Sequence, residues 1–430
     1  MLEQYDVHNS MPFNCRLQST DEDFMKLSNE IWEDLSINKT VKKDLKKRCL
    51  DATLLNMKYA QKTSNYIRVH KKKCYYSEYP KKYKYPFFTF SIMTGIINNL
   101  VKLNYLDQLL GFKNPTDGSG LSTKLKPTDK LIEKFVSVNQ NVFEEEQPME
   151  LIVLKDRQDK TRMDYKDTQN TLRMRQELVE YNKVRQSALI DIQGADKVEK
   201  SDKVIDYLNK FALTDNLNSE TIKLRNTYIY RVFNGSWSNG GRFYGGVESH
   251  MPKALRKNIF IDGEPTVEID FCSMHVRMLY HKAGIDYQQD AYGVISGNNK
   301  NLRKLYKLIG LISINAKSER VLYNSVRNKL IDNNFMNFSN LKNETLRPFV
   351  EKWFTTHKLI GKYFLTDQGI KLQNIDSKIA AAVIKHFTKK GIVVLVVHDS
   401  FIIQEKYASE LKEVMNKIYE DNLGFSPVLK

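Results

Sequence analysis

Two spacings of apolar residues alternate along the chain. Within 21–60 and 89–104, apolar residues recur every three or four positions among polar ones, which predicts helices. The same spacing in the highly charged segment 156–186 predicts one long amphipathic helix. Two apolar, β-branched runs lead instead to Asp270 and to Asp399, and such runs are typical of buried strands. The pattern therefore predicts an α+β fold.

The helix predicted at 89–104 and the segment after it have the order of elements found in a known DNA-binding module. A short apolar strand at 105–112 precedes a loop rich in Gly, Asn, Pro and Ser, and a second strand is predicted at 123–132. Helix, strand, loop and strand is the order of a winged helix, and the segment resembles the winged-helix modules of replication initiators. A generic helical domain is the alternative, because no residue motif distinguishes the two.

Aromatic residues alternate with lysines from His70 to Phe88, most densely at 79–88. Lysines that contact phosphates and aromatic rings that stack on bases are a common means of binding single-stranded nucleic acid. The alternative interpretation is an irregular segment whose rings pack against their neighbours. Both interpretations fit the spacing of these residues.

Charge and composition narrow the choice of partners and compartment. The 430 residues include 67 Lys+Arg and 51 Asp+Glu, a net charge of +16, which favours polyanionic partners, although solvated lysine faces give the same excess. The four cysteines are far apart and form no CxxC pair, which predicts no structural zinc and a reducing compartment. No run approaches the roughly 18–20 apolar residues of a membrane span, and no secretory leader is evident. We therefore expect a cytoplasmic protein with no membrane partner.

Asp270 and Asp399 are the chemically most informative residues, because each lies where a buried strand gives way to a turn. A carboxylate is costly to bury unless a cation meets it. Two such carboxylates brought together could bind two divalent metal ions, which hold the attacking and leaving oxygens of a phosphoryl transfer. The pair predicts nucleotidyl transfer. A capping aspartate and a hairpin tip are the structural alternatives for the two positions taken singly.

Several short motifs accompany the aspartates. A Gly-Arg pair at 241–242 precedes the segment 270–277, which has a serine three residues and an arginine seven residues after its aspartate. Helices are predicted at 302–315 and at 372–384, ahead of a His-Asp-Ser sequence at 398–400. In this order and spacing, the motifs resemble the palm of family A DNA polymerases and of the single-subunit, phage-type RNA polymerases. The resemblance covers nearly half of the chain.

The resemblance implies a role for each motif. Asp270, Asp399 and the backbone carbonyl of Phe271 would bind two Mg2+ ions, for which Mn2+ can substitute. Arg303 and Lys307, one helical turn apart, would bind the triphosphate of the incoming nucleotide. The residues expected to contact primer and template are Arg242, Arg277, Gln373 and His398.

Two positions depart from the family A pattern on the side expected to face the sugar. His275 stands where DNA polymerases of the family carry a glutamate that helps to exclude ribonucleotides, and Asn315 stands where a tyrosine is expected. Both are candidate nucleotide-binding residues, and they leave the choice between dNTPs and NTPs open. The His-Asp-Ser form at 398–400 is that of the RNA polymerases. No segment has the spaced acidic residues of a proofreading exonuclease, and none is predicted.

The resemblance also implies a right-hand polymerase, with an antiparallel palm sheet, helical fingers and thumb, and a mostly helical N-terminal domain that includes the candidate winged helix. The expected divisions are 1–150 for the N-terminal, nucleic-acid-binding domain, 151–225 for a thumb-like helical region, 226–300 for the palm with Asp270, 301–368 for the fingers and 369–430 for the palm with Asp399.

The chain as a whole looks like the family A polymerases carried by staphylococcal cassette chromosomes, which implies a compact DNA polymerase and primase of a mobile element. The expected partners are primer-template DNA or a single-stranded DNA template, dNTPs or NTPs, a small accessory protein and a replicative helicase. Two alternatives stay open. One is a phage-type RNA polymerase, and the other is a replication initiator whose palm has lost its activity and whose winged helix binds DNA.

Overall fold

The computed structural model describes residues 10–63, 65–113, 120–139, 142–214, 216–332 and 342–430. Its α-helices are α1 (Glu22–Asp34), α2 (Lys43–Thr63), α3 (Lys73–Glu78), α4 (Phe90–Lys102), α5 (Asp129–Lys134), α6 (Gln169–Gln186), α7 (Asp202–Phe211), α8 (Lys253–Arg256), α9 (Met274–Lys282), α10 (Gly293–Ser296), α11 (Lys300–Asn315), α12 (Glu319–Asp332), α13 (Asn343–Thr356), α14 (Gly369–Thr388) and α15 (Ala408–Leu423). Its strands are β1 (Ser10–Pro12), β2 (Leu17–Gln18), β3 (Tyr66–Val69), β4 (Leu106–Leu109), β5 (Phe112–Lys113), β6 (Gly120–Leu121), β7 (Thr123–Pro127), β8 (Glu144–Glu145), β9 (Ile152–Lys155), β10 (Ile190–Gln193), β11 (Thr221–Lys223), β12 (Tyr230–Asn234), β13 (Ser236–Tyr244), β14 (Ile259–Ile261), β15 (Glu264–Asp270), β16 (Leu395–Val397) and β17 (Ser400–Gln404). The predicted α+β class is confirmed.

The two apolar runs that end in aspartate lie together in a six-stranded sheet of order β11-β10-β14-β15-β17-β16, in which every pair is antiparallel. Along β17, Phe401 and Ile403 pack into one hydrophobic cluster, and Ile402 packs into another. Neighbouring residues of a strand point to opposite faces, so the two clusters lie on opposite faces of the sheet. Both faces are covered at β16 and β17, as predicted for the run before Asp399. The strand before Asp270 is less buried than predicted, because Glu268 on β15 is exposed.

Helices pack against both faces of the six-stranded sheet. α9, α11, α14 and α15 contribute buried residues to the larger cluster, whereas α7 contributes to the other. Within the larger cluster, the fully buried Trp353 of α13 donates from Nε1 to the hydroxyl of Ser313 on α11 over 3.2 Å. α14 packs along α15 and against the hairpin of β12 and β13. This packing fixes α14 relative to both the six-stranded sheet and the hairpin.

The predicted Gly-Arg pair lies in that hairpin. Gly240 and Gly241 have φ angles of 70° and 94°, in the left-handed region that favours glycine. A Cβ on Gly241 would lie 2.7 Å from the ring of Phe233 and 2.8 Å from the hydroxyl of Ser377 on α14. Glycine therefore allows the strand to approach α14 closely, and the next residue, Arg242, is brought against that helix.

The N-terminal part has its own hydrophobic core and its own sheet, of order β1-β3-β7-β4. Around this sheet the chain runs in the order α2, β3, α3, α4, β4 and β7. The helix predicted at 89–104 is confirmed as α4, and the first strand predicted after it is confirmed as β4. The second strand, predicted at 123–132, is shorter than expected: β7 ends at Pro127, and the residues from Asp129 form the helix α5 instead. Part of the predicted glycine-rich loop, 114–119, lies outside the described residues.

The aromatic residues of the lysine-rich segment 79–88 are mostly inside the protein. Tyr83, Tyr85, Phe87 and Phe88 are all buried. The hydroxyl of Tyr83 accepts a hydrogen bond from the backbone N–H of Leu154 over 3.0 Å, which places that ring against β9. The packing interpretation is confirmed for these four rings. The base-stacking interpretation is wrong for them, because their faces are already covered.

The long helix predicted at 156–186 is shorter than expected. It begins only at Gln169, where Thr168 and Thr171 form a capping box. Upstream, the carboxylate of Asp156 accepts hydrogen bonds of 2.6 and 3.2 Å from the backbone N–H groups two and three residues later. Such a bond between a side chain and the following backbone favours a turn over a helix. Local polar contacts therefore override the helical spacing in the first part of the segment.

The region 151–225 is less helical than predicted. Its second helix, α7, ends at Phe211, and the region also supplies β9, β10 and β11. β10 and β11 pair into the six-stranded sheet that carries Asp270. The strands of this region are thus continuous with the predicted palm. Among the helices of the described ranges, none combines the length and the apolar character that a membrane crossing requires.

Candidate active site

Strand pairing brings the two aspartates to the same end of the sheet. In the register of β15 and β17, Asp270 lies opposite Ser400, the neighbour of Asp399. The backbone N–H of Phe271 donates to the carbonyl oxygen of Asp399 over 3.3 Å. The turn between β16 and β17 includes His398, whose φ is 60°. This tight turn holds Asp399 beside the end of β15.

The two carboxylates interact through their charges. Burial of Asp399 and the negative charge of Asp270 raise the pKa of Asp399, while the cation of Arg242 opposes this. The ammonium of Lys430 lies 2.9 Å from Oδ2 of Asp270. The backbones of these two residues exchange two hydrogen bonds of 3.1 Å, so the segment 428–430 holds the ammonium at the carboxylate. The two carboxylates thus lie close enough to repel each other, and in this structure the ammonium of Lys430 is the cation that meets Asp270.

The oxygen donors at this centre suit magnesium. Carboxylate and carbonyl oxygens are the ligands that Mg2+ prefers, and it is commonly bound by one or two carboxylates together with substrate phosphates. Within the described ranges, no group of three or more His, Cys, Asp or Glu side chains gathers into a metal site. Asp270, Asp399 and the carbonyl of Phe271 would therefore be the protein's ligands, and substrate oxygens would complete the coordination. The raised pKa of Asp399 fits a site in which a cation relieves the repulsion of two carboxylates.

A cleft of about 820 Å³ opens beside the two aspartates. This volume is within the roughly 300–1,000 Å³ of small-molecule sites. All the site residues predicted from the sequence line the cleft except His398, namely Arg242, Asp270, Phe271, His275, Arg277, Arg303, Lys307, Asn315, Gln373 and Asp399. The fold therefore brings together residues from β13, β15, α9, α11, α14 and the turn before β17.

α11 forms a basic wall of this cleft. The guanidinium of Arg303 donates to the carboxylate of Asp290 over 3.0 Å, and it lies 5.4 Å from the centre of the Tyr292 ring. Lys307, one turn later, is exposed to the cleft, and no described carboxylate pairs with it. Lys300 and Lys304 line the same cleft. Arg303 is thus held in place, whereas Lys307 is available to an anion.

Asp376 of α14 organises another part of the cleft, although it was not predicted from the sequence. Its side chain is only 1% exposed. Its two oxygens accept from Nε of Arg242 at 3.1 and 3.2 Å, and Nη2 of Arg242 also donates to it. Nε2 of His275 lies 2.8 Å from its Oδ2. One buried carboxylate thus positions two predicted site residues, and Gln373 lies one helical turn before it.

Asn315 is anchored at the far end of α11. Its side-chain amide donates to the backbone carbonyl of Leu311 over 2.7 Å. A Cβ on Gly369, the first residue of α14, would overlap the carboxamide of Asn315. Asn315 therefore both lines the cleft and packs against the start of α14. Leu311 itself is 51% exposed and lines the cleft between Lys307 and Asn315.

Arg277 and His398 are placed differently from what the resemblance implies. Arg277 is buried, and its guanidinium donates to the backbone carbonyls of Cys272 and Gln289, each over 3.3 Å, and to that of Tyr287. It braces the segment after α9, and a nucleic acid would have to compete with these bonds. His398 lies outside the cleft lining, and partial burial and the cation of Arg242 lower its pKa. Primer-template contact by either residue stays a prediction.

Several residues of the site were not predicted from the sequence, among them Leu311, Asp376 and Lys430. Leu311 continues the series of every fourth residue begun by Arg303 and Lys307, so helical spacing alone could have identified it. Asp376 could have been suspected as a carboxylate on the helix of Gln373. Lys430 carries no signal of this kind, because its place beside Asp270 depends on backbone pairing between distant segments.

No protein-family model matches the chain, and no curated protein is significantly similar to it. The support for a function therefore comes from the residues of the cleft and from the motifs that they form.

Proposed function

We propose that this protein is a template-directed nucleotidyltransferase of the family A polymerase type. The observation that carries the proposal is the arrangement of the cleft, where two adjacent carboxylates, Asp270 and Asp399, share one cavity with the cationic face of α11. A nucleoside triphosphate needs both features, because its reacting phosphate is held through metal ions and its departing pyrophosphate carries negative charge. The sequence motifs at the same positions support the same conclusion.

The residues of the cleft divide the proposed reaction between them. When bound, two Mg2+ ions would supply the Lewis acidity that activates a primer 3′-hydroxyl and offsets charge at the phosphate. Lys307 and Arg303 neutralise the pyrophosphate through charge-assisted hydrogen bonds. Asp270 and Asp399 would hold these ions through their carboxylate oxygens. Arg242 lies on another part of the lining and positions the primer end.

The elements of the fold can be assigned to the parts of a right-hand polymerase. The six-stranded sheet corresponds to the palm, α11 to α13 to the fingers, and α6 with its neighbours to a short thumb. The N-terminal order α2, β3, α3, α4, β4 and β7, with β7 between β3 and β4 in the sheet, supports a winged helix. In such a module the second helix of the helix-turn-helix pair enters a DNA groove, and here that helix is α4. The N-terminal domain would then bind DNA beside the polymerase.

The polymerase we propose replicates a mobile element and makes its own primers. A small accessory protein and a replicative helicase are the protein partners that fit this activity, and the substrates are dNTPs or NTPs on a DNA template. A phage-type RNA polymerase is the second candidate. It is favoured by the His-Asp-Ser turn at 398–400 and by a histidine, rather than a glutamate, at position 275. A replication initiator without catalysis is less well supported, because the cleft keeps both carboxylates and Lys307.

A single set of incubations separates these functions. The full chain is mixed with Mg2+ and either primed or unprimed single-stranded DNA, and each template receives dNTPs or NTPs. New oligonucleotides from dNTPs on unprimed template indicate a DNA polymerase that makes its own primers, extension of supplied primers alone indicates an ordinary polymerase, and products from NTPs but not from dNTPs indicate an RNA polymerase. No product in any mixture contradicts the proposal and favours the initiator. Asp399→Ala should abolish synthesis, while Asp206→Ala, an exposed aspartate of α7, is the matched control.

A further inference from the structure

The backbone of Lys430 is paired with the end of β15, the strand of Asp270. The backbone N–H of Asp270 donates to the carbonyl of Lys430, and that of Lys430 donates to the carbonyl of Asp270, each over 3.1 Å. Nearby, the backbone N–H of Cys272 donates to the carbonyl of Val428 over 2.8 Å. Leu429 lies between these bonds and packs against the larger hydrophobic cluster. The backbone of Lys430 is therefore fixed beside Asp270.

The side chain of Lys430 extends from this fixed backbone into the cleft. Its ammonium lies 2.9 Å from Oδ2 of Asp270, and both residues line the same cavity as Asp399. Arg303, by contrast, lines this cavity with its guanidinium paired to another carboxylate, that of Asp290. One of the two carboxylates expected to bind metal thus already has a cation from the protein itself.

The ion pair between Lys430 and Asp270 is of a kind that breaks easily. The side chain of Lys430 is 66% exposed, so water screens its attraction to the carboxylate. A lysine side chain is also a flexible four-carbon stem with an ammonium at its end. The ammonium can therefore move away from Asp270 while the backbone pairing stays intact.

A divalent metal ion would compete with this ammonium for Asp270. Mg2+ and Mn2+ both prefer carboxylate oxygens, and Mg2+ binds them at about 2.0–2.1 Å. An ammonium in hydrogen-bond contact with the same carboxylate would lie only a few ångströms from such an ion, and two cations so close repel each other. The divalent ion carries the larger charge and coordinates the oxygen directly, so it should displace the ammonium.

We propose that Lys430 is a displaceable counterion of Asp270, whose ammonium leaves the carboxylate when a divalent metal ion binds there. The inference rests on the proposed nucleotidyl transfer, because that function assigns a metal ion to Asp270. Lys430 raises the metal concentration at which the cleft becomes competent. The backbone pairing keeps the lysine beside the site, so the ammonium returns to Asp270 when the ion leaves.

The test measures Mn2+ binding to the full chain without nucleotide, from the loss of the electron paramagnetic resonance signal of free Mn2+. Lys430→Met keeps most of the side-chain length and removes the charge. It should bind Mn2+ roughly two- to fivefold more tightly, the range that corresponds to a weak, exposed ion pair. Lys430→Arg keeps a cation and should bind Mn2+ as the wild type does. In primer extension, the half-saturating Mg2+ concentration of Lys430→Met should fall by the same factor.

A second lysine of the cleft provides the matched control. Lys300 is exposed on α11 and lines the same cavity. Lys300→Met therefore measures the effect of removing one positive charge from the cleft at a distance, and its gain in Mn2+ affinity should be smaller. The difference between the two lysine variants reports the contact with Asp270.

The outcomes separate this inference from the proposed function. Mn2+ binding by Lys430→Met that is no tighter than that of the wild type overturns the inference, and so does an equal gain in Lys300→Met. The proposed function stands in either case if the wild type extends primers. Mn2+ binding that Asp270→Asn does not weaken would remove the metal ion from Asp270 and overturn the inference as well. A wild-type protein that neither binds Mn2+ nor extends primers overturns the proposed function together with this inference.

Discussion

The N-terminal core and the cleft use the same kinds of residue in opposite ways. Both regions combine lysines or arginines with aromatic rings. In the N-terminal core, Phe87 is buried, with the Arg48 guanidinium 5.2 Å from the centre of its ring. In the cleft, Lys307 is exposed, and Asp270 and Asp399 share one cavity with it.

The difference shows that residue type identifies chemistry only when the fold leaves the group available. In sequence, the aromatic segment at 79–88 indicates nucleic-acid binding as strongly as the cleft motifs do. In the structure, most of its rings are buried and stabilise the N-terminal part. The cleft residues instead have partners that orient their side chains and still leave them accessible to a ligand, as Asp290 does for Arg303. Four changes test this contrast, from the largest expected effect to the smallest.

Asp399→Asn should nearly abolish activity. Loss of one of the two carboxylates proposed to bind metal should remove charge stabilisation worth several kcal/mol, so kcat in primer extension should fall by about 10³- to 10⁴-fold. The measurement is single-nucleotide extension at saturating Mg2+ and nucleotide. A variant that keeps more than about a tenth of the wild-type rate would contradict a metal-binding role, since a tenfold change is only about 1.4 kcal/mol.

The same variant should not lose stability. The folded pKa of Asp399 is raised, so the folded state binds a proton more readily than the unfolded chain does. The contribution of this group is therefore greatest below the ordinary aspartate pKa and is lost as the pH rises through the raised value. In urea unfolding with a chelator present, Asp399→Asn should be more stable than wild type at neutral pH, and the gap should narrow in acid. A variant less stable at neutral pH would indicate a structural aspartate.

Phe87→Ala should lower the free energy of unfolding of the N-terminal part by about 3–5 kcal/mol, as is typical of a buried aromatic ring replaced by alanine. Binding of single-stranded DNA by the protein that stays folded should not change, because the ring has no free face. Phe87→Leu, which keeps most of the apolar volume, should be less destabilising. Unchanged stability together with weaker DNA binding would restore the base-stacking interpretation.

Lys307→Ala should act on nucleotide binding. A hydrogen bond to a charged group is worth roughly 1.5–3 kcal/mol, so KM for the nucleotide should rise by about 10- to 100-fold. Stability should be unchanged, because the side chain is exposed. Lys412→Ala removes an exposed lysine of α15 and should leave KM as it is. A KM for Lys307→Ala equal to that of the control would remove Lys307 from the phosphate site.

Ser91→Glu should weaken duplex DNA binding by the N-terminal domain. Ser91 is exposed in the first turn of α4, where a carboxylate favours the helix dipole and should not destabilise the helix. A new negative charge about 4 Å from a phosphate costs about 1 kcal/mol in water, or roughly a fivefold loss of affinity at low salt. Ser91→Ala serves as control. Equal affinities for the two variants would show that α4 does not face DNA.

Much of the fold could be predicted from local patterns. The strand β15 that ends at Asp270, the strand β16 that ends two residues before Asp399, and the helices α4 and α11 all follow from the spacing of their apolar residues. The segment 156–186 did not follow its pattern, because Thr168 starts the helix late and Asp156 stabilises a turn. Hydrophobic spacing reports which face of a segment is buried, and polar contacts with the backbone decide where a helix begins.

The sequence by itself determined the chemistry of the candidate site, since carboxylates, cations and their order along the chain are covalent facts. Only the tertiary structure decided which groups meet. Asp376 reaches His275 across 101 residues and Arg242 across 134, and Lys430 reaches Asp270 through backbone pairing. The tertiary structure also decided that the ring of Phe87 is buried and that the ammonium of Lys307 is exposed to the cleft. The physical reason is that burial and pairing depend on segments far apart in the chain, whereas hydrophobic spacing records only the local contact of each segment with the core.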